Sequence, residues 1–280
     1  MAESIPGSDR PFQHYTLKHR VVAWISIHLF DHVSYTVGHG LLKGMKRRGG
    51  MGWVPEGLAG GTDTAETRFW RGIDLRGKTV YDVGAFHGLL TLWFAQHASR
   101  VICFEPNKQN HQRLLENLAL NKLQNVTVRN VGIGSVSETR RMVSNPLMPG
   151  GSTVDARTAD GLVKTGAPTV VQEISISTLD EEIPQQKFPP PGFIKIDIEG
   201  WEIEALKGAR QTLETYKPAL FLEMHGETMR EKEQKVSAIV RFLWDLQYHN
   251  IQHVETGTAI TPENALVAVQ GHLYCRPSGA

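Results

Sequence analysis

The chain has 280 residues, 40% of them hydrophobic, which is enough for one full core with an extension and implies no long disordered tract. A formal net charge of +1, with Lys and Arg scattered along the chain, supplies no basic footprint, so no nucleic-acid partner is expected. Only Cys103 and Cys275 are present, the first inside a predicted strand, so neither a disulfide framework nor a zinc site can be built and a reducing, cytoplasmic setting follows.

Residues 21–42 form an apolar stretch bounded by Lys18, His19 and Arg20 on one side and by Lys43, Lys46, Arg47 and Arg48 on the other. Asp31, His28, His32 and His39, with Gly38 and Gly40, interrupt it, and polar groups at membrane depth are costly, so no stable span is expected. A signal peptide fits poorly, because Glu3 and Asp9 precede the apolar run and no small-residue cleavage pattern follows. The reading is an amphipathic helix packed across the main domain, completing a substrate pocket or a homodimer contact; an interfacial membrane helix over 21–42 is the alternative. Residues 49–52 and 57–61 are glycine-rich turns and connector, so 1–70 reads as a helical extension and 71–280 as the main domain.

From residue 78 onward strands and helices alternate, the pattern of a parallel sheet covered on both faces. A first strand over 78–83 runs into Asp82-Val83-Gly84-Ala85-Phe86-His87-Gly88; a helix with Leu90, Trp93 and Phe94 at helical spacing follows, then a second strand over 100–104 ending in Glu105-Pro106-Asn107. Glycines at such a loop let the backbone turn and approach a ligand, and an acid about twenty residues on can accept hydrogen bonds from ribose hydroxyls. The spacing is not G-x-G-x-x-G, and Asp82 at its start would repel a pyrophosphate. S-adenosylmethionine carries an ammonium and a sulfonium and no phosphate, so it suits an acidic loop. The competing reading makes Asp82 a cap and the glycines a simple turn.

Leu114, Leu115 and Leu118 mark the next helix, and residues 125–133 read as a third strand whose tip would lie near the adenine. Residues 144–170, rich in Gly, Pro, Ser and Thr, break the rhythm as an insertion or lid. An extra strand over 172–176 and a proline run at 189–191 precede Phe193-Ile194-Lys195-Ile196-Asp197-Ile198-Glu199-Gly200-Trp201-Glu202. Central parallel strands are normally apolar throughout, and these charges gather at the carboxyl end, where open α/β sheets bind ligands. A fifth strand over 219–224 ends likewise, with Glu223 and then His225. Alternatively, Glu199 and Glu202 only begin the next helix, at its positive dipole end.

Val80-Tyr81-Asp82-Val83-Gly84-Ala85 with Gly88, Phe104-Glu105-Pro106-Asn107, residues 118–121, Ser177-Thr178-Leu179-Asp180, Ile194-Lys195-Ile196-Asp197-Ile198-Glu199-Gly200 and Leu222-Glu223-Met224-His225 together resemble the successive signatures of the FkbM family of S-adenosylmethionine-dependent methyltransferases. The resemblance implies a class I methyltransferase fold, Rossmann-like, with a seven-stranded, mainly parallel sheet and an antiparallel final strand. It further implies O-methylation of a hydroxyl on a sugar or natural-product acceptor, a small molecule or glycan. N-methylation of an amine or peptide side chain and a non-catalytic nucleotide-binding module are the alternatives.

In-line displacement at a sulfonium methyl by a neutral hydroxyl needs positioning and a proton acceptor. Asp197, Glu199, Glu223 and His225 are the candidates, from adjacent strand tips. Asp82, Gly84, Ala85, Phe86, Gly88, Glu105, Pro106, Asn107 and Asp197 are the candidates for holding the cofactor. Asp197 could instead serve the cofactor ammonium or a cation, and the clustered oxygens would suit Mg²⁺, although no metal ligand set is assigned.

Overall fold

The computed structural model describes residues 31–49, 63–144, 152–154, 169–226 and 228–279. In chain order the elements are β1 (Ser34–Thr36), β2 (Lys46–Arg48), α1 (Ala65–Gly72), β3 (Thr79–Val83), α2 (Leu89–His97), β4 (Arg100–Phe104), α3 (Lys108–Leu120), β5 (Val126–Arg129), β6 (Gly132–Ile133), β7 (Glu138–Ser144), β8 (Ser152–Thr153) and β9 (Val170–Ser177). There follow α4 (Leu179–Gln186), β10 (Phe193–Ile196), α5 (Glu202–Lys207), α6 (Arg210–Tyr216), β11 (Ala219–Glu223), α7 (Met229–Asp245), β12 (Asn250–His253), β13 (Ala259–Ile260), a 3₁₀ turn (Ala265–Ala268) and β14 (His272–Arg276).

The main sheet has the order β13-β12-β14-β11-β10-β3-β4-β5. Strands β5, β4, β3, β10 and β11 pair in parallel, β14 runs antiparallel to β11, and β12, antiparallel to β14, returns to the common direction. The expected seven strands with an antiparallel last one are therefore present, and the two-residue β13, turned back on β12, adds an eighth at the edge. Alternation splits the core. Tyr81, Val83, Ile102, Phe104, Ile194 and Ile196 pack on one face with residues of α5, α6 and α7; Val80, Val101, Cys103 and Phe193 pack on the other with Trp70, Phe94 and Leu114. Leu118 joins that second layer, while Leu115 of the same helix is exposed. Among the described residues no helix is long and apolar enough to cross a membrane.

Two sequence expectations change here. Residues 31–42 are turn and strand instead of helix: β1 and β2 form an antiparallel hairpin, and Gly40 and Gly44 turn the chain with φ of 71° and 88°. Residues 1–30 lie outside the described residues. The hairpin is fastened to α3, where Asn117 Oδ1 accepts from the Arg48 N–H and Asn121 exchanges bonds with the Lys46 backbone.

The stretch 125–133 is two strands. After β5 the chain leaves the main sheet, pinned by the Asn130 side chain donating to the Glu105 and Pro106 carbonyls, and β6 joins a second, four-stranded sheet of order β6-β9-β7-β8. The expected strand over 172–176 is the centre of β9 there. Of the insertion at 144–170, residues 145–151 and 155–168 lie outside the described residues, while β8 pairs with the end of β7.

Candidate active site

A cavity of about 180 Å³, open to solvent, lies at the carboxyl ends of β3, β4 and β10. Gly84, Phe86, Glu105, Pro106, Asp197 and Glu199 line it. Its apolar wall comes from the second sheet and its surroundings: Met142, Val154, Ile174, Ile176 and Trp201. Sequence reading gave no hint of that wall, because its residues face a cavity that exists only once β6 and β9 have paired.

The loop after β3 is shaped by contacts that only glycine tolerates. Gly84 has φ of 83°, and a Cβ there would collide with the Asp197 carbonyl oxygen, so the chain after β3 and the chain after β10 touch backbone to backbone. Gly84 and Ala85 both donate to the Phe104 carbonyl. Gly88 starts α2 at φ of 85°, and a Cβ there would run into Leu114. Phe86, at φ of 50°, donates its N–H to Glu105 Oε2 at 2.8 Å, and Asn107 N–H donates to Oε1 at 2.9 Å. Asn107 also caps α3 through its side chain. Ala85 and Asn107 are thus buried supports beside the cavity rather than parts of its wall.

Glu105 is 5% exposed, and burial, only partly relieved by the N–H bonds from Asn107 and Phe86, pushes its carboxyl up to about 7. Each carboxylate oxygen has two lone-pair sites, so acceptor capacity remains for a ligand's hydroxyls.

Asp82 lies beneath the cavity instead of in it. It is fully buried, accepts from Thr91 Oγ1 at 2.5 Å and faces Lys195 Nζ at 3.4 Å, because Lys195 and Asp82 are register partners on adjacent parallel strands. Lys195 Nζ also contacts Asp197 Oδ2 at 3.1 Å and donates to the Gly84 carbonyl at 2.9 Å. Burial alone would lower its pKa, but Asp197 and Asp82 outweigh that and hold the amine charged. This lysine joins both loops of the site.

Beyond β10, Asp197, Glu199, Glu223 and His225 come together as expected. His225 Nε2 lies 3.7 Å from Asp197, 3.7 Å from Glu199 and 3.5 Å from Glu223, while its Nδ1 is bonded at 3.0 Å to Glu202. Glu202, 1% exposed, also accepts the Ile198 and Gly200 N–H groups, so it starts α5 and aims the imidazole at once. Burial opposes charge on His225, yet the bond to Glu202 and the surrounding acids raise its pKa to about 10, so it stands as an imidazolium. Burial raises the Glu199 carboxyl to about 7, with His225 working against it and Asp197 and Glu223 adding to it; its backbone sits at φ of 54°. Asp197 shifts the other way: burial would raise it, but Lys195 and His225 hold it below the usual range.

Asp197, Glu223 and His225 bring ligand-capable atoms within 4.8 Å of one another. Beyond this proximity nothing supports the Mg²⁺ expectation, and no metal is assigned to the cluster.

The family model described as the methyltransferase FkbM domain matches residues 82–249. The chain is 27% identical over 172 residues to the hexuronic acid methyltransferase AglP of Haloferax volcanii, covering 56% of this chain and 66% of that protein. It is 28% identical over 153 residues to the methyltransferase sdnD of Sordaria araneosa, covering 46% of this chain and 59% of that one. The chain therefore spans less than two thirds of the length of either relative. Among solved structures, the methyltransferase FkbM from Methylobacillus flagellatus KT aligns with a TM-score of 0.49 at 23% identity, over 76% of this chain and 48% of that one.

Proposed function

Because the chain belongs to the FkbM methyltransferase family, we propose that it transfers the methyl group of S-adenosylmethionine to a hydroxyl of a sugar or natural-product acceptor. The observation that carries this reading is the placing of three carboxylates on the wall of one cavity at the carboxyl end of the sheet: Asp197, paired with Lys195 at 3.1 Å, with Glu199 beside it and Glu105 opposite. Asp197 and Glu199 stand after β10, and Glu105 stands at the tip of β4, with β3 and its glycine loop between them in the sheet.

When bound, S-adenosylmethionine supplies an electrophilic methyl on a sulfonium. Glu105 suits the ribose hydroxyls, and Pro106, Gly132 and Ile133 form an apolar seat for the adenine beside it. Asp197 suits the ammonium, a fixed cation that rewards a carboxylate kept ionised. Glu199 is the proton acceptor, since a general base works best with a pKa near the operating pH. His225, already charged, is unsuited to that task; it holds Asp197, Glu199 and Glu223 together without their mutual repulsion.

An acceptor screen read by mass spectrometry for the gain of one methyl tests the reading, with Glu199→Gln as its control. Methylated hydroxyl compounds should appear, and Glu199→Gln should slow their formation by about two to four powers of ten. Methylation of amines alone would replace the hydroxyl assignment, and full activity in Glu199→Gln would remove the base.

A further inference from the structure

Helix α3 turns a buried polar seam toward the glycine loop. Asn110, Leu114 and Asn117 are spaced four and three residues apart, share one helical face, and are all buried. Leu114 lies under Gly88, where a Cβ would strike it, and the asparagines on either side both engage His87. Asn117 Nδ2 donates to the His87 carbonyl at 2.8 Å, and its Oδ1 accepts from the Arg48 N–H of the hairpin. Asn110 Oδ1 lies 3.2 Å from His87 Nε2, and Asn110 Nδ2 reaches Glu105 Oε1 at 3.4 Å. The His87 ring is also stacked on Phe86 of the cavity wall, centroids 3.8 Å apart at 16°.

The chemistry of the partners fixes the direction of these bonds. An ionised carboxylate only accepts, so Asn110 turns its NH₂ group to Glu105 and its oxygen to His87. That oxygen only accepts in turn, so His87 donates from Nε2. Burial, with the charges of Arg47 from β2 and Arg113 from α3, lowers the His87 pKa to about 4; the bond to Asn110 and the charge of Asp31 oppose this and are outweighed. The ring is therefore neutral at neutral pH, and its one proton sits on Nε2. On Glu105, Oε1 then receives the Asn107 N–H and Asn110 Nδ2, which fill its two lone-pair sites, while Oε2 receives the Phe86 N–H and keeps one site open.

We propose that His87 is a positioning residue of the cofactor site: as a neutral imidazole protonated on Nε2 it fixes the Asn110 amide, which occupies Glu105 Oε1 and leaves Oε2 to receive a ribose hydroxyl. The inference rests on the placement of S-adenosylmethionine in this cavity. Without the proton on Nε2 nothing holds the Asn110 oxygen away from the carboxylate, and two facing acceptors repel. His87 thus acts through Asn110 on the charge of Glu105 as well as on its direction, since the Asn110 bond is among those that oppose burial in setting that carboxyl at about 7. Asn117 holds the main chain of the same residue, so α3 grips His87 at both ends.

The test compares wild type, His87→Phe and His87→Gln in the full chain. Phenylalanine keeps a flat ring against Phe86 and cannot donate; glutamine can donate from a similar place. Nitrogen NMR of the wild-type ring should show Nε2 protonated and Nδ1 bare at neutral pH. Carbon NMR of the Glu105 carboxyl should give a titration midpoint that rises in His87→Phe and returns to the wild-type value in His87→Gln. Affinity for S-adenosylhomocysteine should fall by about five- to tenfold in His87→Phe, the scale of one hydrogen bond, and recover in His87→Gln. In a Glu105→Ala background His87→Phe should change affinity by less than about twofold, whereas a residue that only packs the loop would cost the same in both backgrounds.

A wild-type ring protonated on Nδ1, an unmoved Glu105 midpoint in His87→Phe, or additive losses in the double variant would overturn the proposal. Should His87→Phe not fold, the wild-type ring signals and the Glu105 midpoint in His87→Gln still decide. Failure of wild type to bind S-adenosylhomocysteine would strike the methyltransferase reading instead, and the two NMR readouts, which need no ligand, would still answer for His87.

Discussion

Replacing Lys195 by Met tests the join between the two halves of the site. The substitution keeps the length of a side chain that is 4% exposed and removes its charge from between Asp82 Oδ1 at 3.4 Å and Asp197 Oδ2 at 3.1 Å. Asp82 is 1% exposed at its side chain and would keep Thr91 as a partner but no countercharge. Breaking a buried pair by removing one partner costs about 3–5 kcal/mol, because the remaining charge stays buried without compensation. The Gly84 carbonyl also loses a charge-assisted bond, which adds to the loss. Against a typical stability of about 5–15 kcal/mol, this is a large share.

Urea unfolding of Lys195→Met should therefore show a midpoint well below wild type. The deficit should narrow in acid, because the stability that Lys195 gives by holding Asp197 ionised below the usual range is lost in wild type as Asp197 protonates. Lys195→Met with Asp82→Asn should recover part of the loss, as neutral groups replace the pair. A single variant within about 1 kcal/mol of wild type, or a double variant no better than the single, would refute the assignment of Lys195 as the buried strut.

Gly84→Val should fail to bind cofactor and lose stability, because any side chain there meets the Asp197 backbone at a positive φ; normal S-adenosylhomocysteine binding would mean that the loop shifts freely. The methyl-transfer rate should rise with pH through about 7, the value at which Glu199 becomes an acceptor, and level off above it. A pH-independent rate between 5 and 9 on a responsive acceptor would count against a titrating base of about 7.

What could be read in the sequence is what depends on neighbours in the chain. Gly84 and Glu105 signal a ligand site because a tight turn and a strand-tip acid need those residue types, and the charged end of Ile194-Lys195-Ile196-Asp197 stands out in an otherwise apolar strand. What depends on register across strands was not legible. Asp82 was expected near the cofactor, and it lies buried under the site because β3 and β10 pair Asp82 with Lys195. Glu202 reads equally as a strand-tip acid or a helix start, and its bond to His225 spans 23 residues. The apolar stretch before residue 42 suggested a helix, but Gly40 and Gly44 with asparagine anchors on α3 favour a hairpin over its described part.

The most direct test of the central claim is calorimetric titration of S-adenosylhomocysteine into wild type and Glu105→Ala, repeated from pH 6 to 8. Binding to wild type should strengthen as pH rises through about 7, since hydroxyl donors favour the ionised form of a carboxyl that burial holds high. Glu105→Ala should lose about 1.5–3 kcal/mol of affinity, the scale of charge-assisted hydrogen bonds, and lose the pH dependence with it. No binding to wild type, or equal binding by a folded Glu105→Ala, would contradict the placement of the cofactor in this cavity.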